Sequence, residues 1–117
     1  MALLVDTIAE RHLELRTPKG SMAVVAALGR PTEVGAEEWT CACVTVFGGE
    51  ARTHQIHGGD SMQALQLAMV TLDVELSHGA KMRGGTLFQF DEPFTSVLED
   101  SGMQPRSTSA SPGAGAI

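Results

Sequence analysis

The sequence predicts an α+β domain in which four or five antiparallel strands, in ββββα order, pack on one long helix. Three observations carry this expectation. Apolar and polar residues alternate with period two from Ile8 to Arg16, the pattern of a half-buried strand. β-branched and aromatic types crowd Trp39 to Phe47, which ends at Gly48-Gly49, a two-residue hairpin signal. From Asp60 to His78 no Pro or Gly breaks a helical pattern.

In the first strand Ala9, Arg11, Leu13 and Leu15 share one side, and Ile8, Glu10, His12, Glu14 and Arg16 share the other. Pro18-Lys19-Gly20-Ser21 supplies turn chemistry, because Pro presets φ and Gly tolerates positive φ. The run from Met22 to Leu28 should return as the second strand of a hairpin, stopped by Gly29 and Pro31. Residues 29–38 are polar and read as a loop. Trp39 to Phe47 is the third strand and Glu50 to His57 the fourth, ending at Gly58-Gly59.

The helix should start at Asp60, whose carboxylate can accept from the first orphan amides, with Gln63 three residues on in a capping-box arrangement. Gly79 is the expected stop. Two apolar stripes run along it. Met62, Leu65, Met69, Leu72 and Leu76 follow the i, i+3, i+4, i+7 rule. Leu67, Val70 and Val74 form a second stripe, nearly opposite at 100° per residue. A helix on one sheet face needs only one stripe. Either residues 82–98, with Leu87, Phe88, Phe90, Phe94, Val97 and Leu98, fold over the second, or Leu67, Val70 and Val74 form a dimer or partner interface. Thr86 to Phe90 is a candidate fifth strand, and Pro93 to Glu99 an arm or short helix. Residues 1–100 are thus expected to form one domain. Ser101 to Ile117, rich in Ser, Gly, Ala and Pro without apolar period, is expected to be a disordered tail.

Bulk properties narrow the function. At 117 residues the chain suits a single core. With four Phe, one Trp and no Tyr, that core must rest on aliphatic side chains. A net charge of −6 and scattered Lys and Arg disfavour phosphate backbones and anionic lipid, so neither nucleic acid nor membrane is expected as a partner. No apolar run reaches the length of a membrane span. Met1 to Val5 is too short for a secretion signal, and two thiols two residues apart on a strand suit a reducing compartment. These features point to the cytoplasm.

The residues that could carry chemistry sit on the Trp39–His57 hairpin. With Gly48 and Gly49 as its loop, Cys43 pairs with His54, and Cys41, Cys43, His54 and Arg52 share a face. Cysteine and histidine suit a thiophilic metal, but the Cys spacing is short and a fourth ligand is missing. The competing reading is that both cysteines are small core residues. His54 and His57, three apart on a strand, face opposite ways. No nucleophile elbow, phosphate loop or pair of separated carboxylates stands out. The expectation is a domain with no cofactor and no catalytic group, binding a protein partner or itself.

Ala9-Glu10-Arg11 on the first strand, Trp39-x-Cys41, and Gly59-Asp60-Ser61-Met62-Gln63-Ala64-Leu65 together resemble a family of small bacterial domains of unknown function. That family has an Ala-Glu-Arg first strand, a Trp-x-Cys central strand and a Gly-x-Asp-x-x-Gln-Ala-Leu helix start. The resemblance spans residues 8–78. It implies a bacterial origin and supports the fold, and implies no activity. Small acidic bacterial domains of this kind include immunity proteins that cap toxins, which makes toxin neutralisation the concrete form of the binding expectation.

Overall fold

The computed structural model describes residues 6–98. In chain order the elements are β1 (Thr7–Thr17), β2 (Gly20–Gly29), β3 (Thr32–Gly35), β4 (Glu38–Phe47), β5 (Glu50–Gly58), α1 (Ser61–Met82), β6 (Thr86–Gln89) and β7 (Glu92–Pro93). The expected tail from Ser101 to Ile117 lies outside the described residues.

Among the described residues all seven strands join one antiparallel sheet, two or three more than expected. β2 lies between β1 and β4, β5 pairs with β4, and β6 and β7 extend the β1 side. β3 lies on the same edge of β4 as β2, opposite Glu38–Thr40, whereas β2 pairs with Cys43–Phe47. Together β2 and β3 therefore act as one strand bent at Arg30-Pro31. The segment 29–38 is not a plain loop. Its strand is exposed on both sides at a sheet edge, so it carries no alternating pattern to announce it.

β7 was hidden for another reason. Phe90 and Asp91 both adopt positive φ, 53° and 65°, which lets two residues turn β6 into β7. Asn and Gly normally signal such a turn; here a Phe occupies it, largely exposed to solvent.

The β4–β5 ladder runs without a slip from Trp39↔Gly58 to Phe47↔Glu50, and Gly48 turns it at φ 62°. The expected Cys43↔His54 pairing is present. Along β1, Leu13 and Leu15 are buried, as the alternation requires.

α1 lies on the face formed by Leu13, Leu15, Val24, Ala26, Leu28, Cys41, Cys43 and Phe47. Asp60 caps it by accepting from the Gln63 amide at 2.7 Å, and the Gln63 side chain accepts from the Gly59 amide at 2.5 Å. The helix does not stop at Gly79. It runs to Met82, then closes in a Schellman arrangement: Gly85 N–H donates to Ala80 O at 3.0 Å and Gly84 N–H to Lys81 O at 3.1 Å, with Gly84 at φ 67°.

Small residues let the helix approach closely. Ala64, Ala68 and Ala80 share the buried face with Leu72 and Leu76. The Gly58 backbone is so near that a Cβ there would lie 2.5 Å from the Ala64 nitrogen. Met62, expected on this stripe, is instead exposed, because Ala64 makes the first-turn contact at a separation too short for a long side chain. Leu65 and Met69 pack at the margin of the core. Each large aliphatic side chain buried here stabilises the fold by roughly 1.5–3 kcal/mol.

Candidate functional site

The outer face of α1 departs from the usual rule that apolar residues go inside. Leu67, Val70 and Val74 are 42%, 45% and 58% exposed. Residues 86–98 do not cover them. Leu87 and Phe94 are buried in the main core and Val97 packs against it. The reason is local. Phe94 N–H donates to Leu87 O at 2.9 Å, while Asp73 accepts from Ser96 Oγ at 2.6 Å and from Val97 N at 2.7 Å. These bonds hold the segment against the flank of α1, and Phe90 and Leu98 point away into solvent. The expectation that this segment folds over the second stripe is therefore corrected.

The composition around the stripe is unusual for so acidic a chain. Between Ser61 and Met82 the carboxylates are Asp73 and Glu75. The first is engaged with Ser96 and Val97, and the second turns toward β5. The outer face instead presents Gln63, Gln66, Thr71, Ser77 and His78, with Lys81 at its end. Thr71 directs its hydroxyl to Leu67 O at 2.9 Å.

Beneath the helix the structure gathers the hairpin residues around a group that the sequence reading missed. Glu75, only 15% exposed at its side chain, lies 3.4 Å from Arg52 Nε and 3.3 Å from His54 Nε2. His54 Nε2 is buried and not aligned for a hydrogen bond, though it is within ion-pair range when protonated. The signal for Glu75 was helical phase: it follows Ala64, Ala68 and Leu72 along the inward face. His57 lies on the opposite sheet face and is exposed, so the two histidines are not brought together.

Cys41 and Cys43 are both fully buried. Cys41 Sγ donates to Gly29 O at 3.4 Å. Burial raises the Cys41 thiol, and burial first, then Cys41 and Glu75, push the Cys43 thiol up to about 11. The folded state thus favours the protonated form of both thiols. Among the described residues no three His, Cys, Asp or Glu side chains are placed to share a metal ion.

Next to this cluster a cleft of about 440 Å³ is lined by residues including Thr45, Arg52, Glu75, His78 and Arg83. Arg83 stacks over the Phe47 ring at 4.5 Å, donates to Gly79 O at 3.1 Å and pairs with Glu50. The guanidinium groups in the wall are thus matched by carboxylates of the same wall. No helix among the described residues is long and apolar enough to cross a membrane.

A family model described as a domain of unknown function (DUF6968) matches residues 9–96. That range holds every strand after β1's first two residues, the helix and the cluster beneath it. No curated protein and no solved structure gives a significant match.

Proposed function

Since the chain belongs to the DUF6968 family of domains of unknown function, we propose that it is a non-catalytic protein-binding module that docks through the outer face of α1. One observation carries this reading: Leu67, Val70 and Val74 remain exposed on a helix whose other face already satisfies the core. Contiguous apolar surface left in water is the mark of a contact site. The module has two forms, a homodimeric accessory domain and an immunity protein that caps a basic toxin. The second draws on the net charge of −6 and on Glu33, Glu37 and Glu38, exposed together around the β3–β4 turn; such charge steers encounter more than it adds affinity. Val70→Glu tests the surface. It should abolish association and leave the circular dichroism and thermal midpoint near wild type. An unfolded variant would make the stripe part of the core and end the proposal.

A second reading rests on the buried, unbonded His54 Nε2 beside Cys43. In it Cys41, Cys43 and His54, which are not placed to share an ion as they stand, rearrange to hold a thiophilic metal or support an enzymatic step. Elemental analysis of untagged protein separates the two readings. A stoichiometric metal lost in Cys41→Ala would establish the second; metal-free protein would remove it.

A further inference from the structure

We infer that the occupant of the outer α1 face is a second copy of this chain, joined as an antiparallel helix pair about a twofold axis near Val70 and Thr71. The inference rests on the docking surface proposed above and adds the partner and its register.

Spacing is the first argument. Gln63, Leu67, Val70, Val74, Ser77 and Lys81 follow one another at alternating steps of four and three, the repeat that keeps a seam of one helix facing another helix along its length. The seam is apolar in the middle and polar at both ends. Its apolar part, Leu67 to Val74, is centred between Val70 and Thr71, about one residue from the midpoint of the helix Ser61–Met82, as a self-complementary patch requires.

Charge is the second argument. Two copies of a molecule with net charge −6 repel, so close approach favours a face where carboxylates are few or are each met by a cation. The outer face of α1 meets that condition. A basic partner would gain no attraction there and would be drawn to Glu33, Glu37 and Glu38 instead. In the antiparallel register Leu67 lies opposite the partner's Val74. The same register sets Lys81, the last-turn cation, opposite the partner's Asp60, the exposed N-cap carboxylate. Two salt bridges thus bracket the apolar centre. Antiparallel packing also sets the positive end of one helix dipole beside the negative end of the other.

The experiment is sedimentation of the intact chain over about two decades of concentration around micromolar. A dimer that Val70→Glu converts to a folded monomer supports the inference. So does weakening in Lys81→Glu, which sets like charges against the partner's Asp60. Register is tested by single cysteines: Val70→Cys should cross-link the dimer on mild oxidation and Met62→Cys should not, since Cys41 and Cys43 are buried. A folded wild-type monomer throughout would overturn self-pairing without touching the docking surface itself. A dimer indifferent to Val70→Glu, joined for example through the outer edge of β5, would overturn both.

Discussion

The Phe47 ring lies directly beneath the Gly79 backbone, so close that a Cβ on Gly79 would fall 2.4 Å from Phe47 Cζ. Gly79 is therefore a packing residue inside α1, and the helix passes over the ring at a distance no other side chain permits. Replacing it with Ala would gain up to about 1 kcal/mol of helix propensity. The displaced ring, which also carries Arg83, should cost more, as overpacking usually does, about 1–3 kcal/mol. Gly79→Ala is thus expected to lower stability in a urea titration. Gly84→Ala provides the contrast: its Cβ meets open space, but its φ of 67° is unfavourable to Ala, so a loss of about 1 kcal/mol should come from backbone conformation alone.

Stability should decline at alkaline pH through Cys43. Its thiol is pushed from the ordinary 9.0 up to about 11, so the folded state holds the proton more tightly than the unfolded chain. The stabilisation is fully present below the unfolded value and is lost as pH rises from about 9 through about 11. Unfolding free energies measured across that window should fall, and Cys43→Val should lessen the decline, to which Cys41, also raised by burial, contributes in the same direction. Over the same window the native thiols should resist alkylation until denaturant is added.

Asp73 holds Ser96 and Val97 by two short hydrogen bonds. Asp73→Ala removes both acceptors and should destabilise by about 1–3 kcal/mol. The Val97 amide should then exchange with solvent much faster than in wild type, while amides of the β4–β5 ladder stay protected. Uniform acceleration everywhere would instead mean that this anchor supports the whole fold.

Much of the fold was legible because its strongest elements combine period, turn chemistry and caps. Leu13 and Leu15 alternate with polar neighbours, Gly48-Gly49 marks the hairpin, and Asp60 with Gln63 marks the helix start. What stayed hidden broke those rules for physical reasons. β3 is polar on both sides at a sheet edge. Phe90 occupies a backbone region usually reserved for Asn or Gly. Gly79 resembles a stop but serves packing, and the stop is Gly84. At the candidate site, Leu67, Val70 and Val74 were readable from helical spacing, and the Cys43↔His54 pairing followed from the hairpin register. Glu75 was not found, because a single carboxylate inside an apolar stretch looks like a solvated charge until the inward face is identified. The path of residues 86–98 depends on Asp73, a contact that no local pattern announces.

The most direct measurement of the central claim is methyl-resolved NMR of the intact chain during dilution. The methyl signals of Leu67, Val70 and Val74 should move together with concentration, while those of Val24 and Leu15, buried in the core, stay still. Stripe signals that hold constant while resonances elsewhere on the surface move would contradict it.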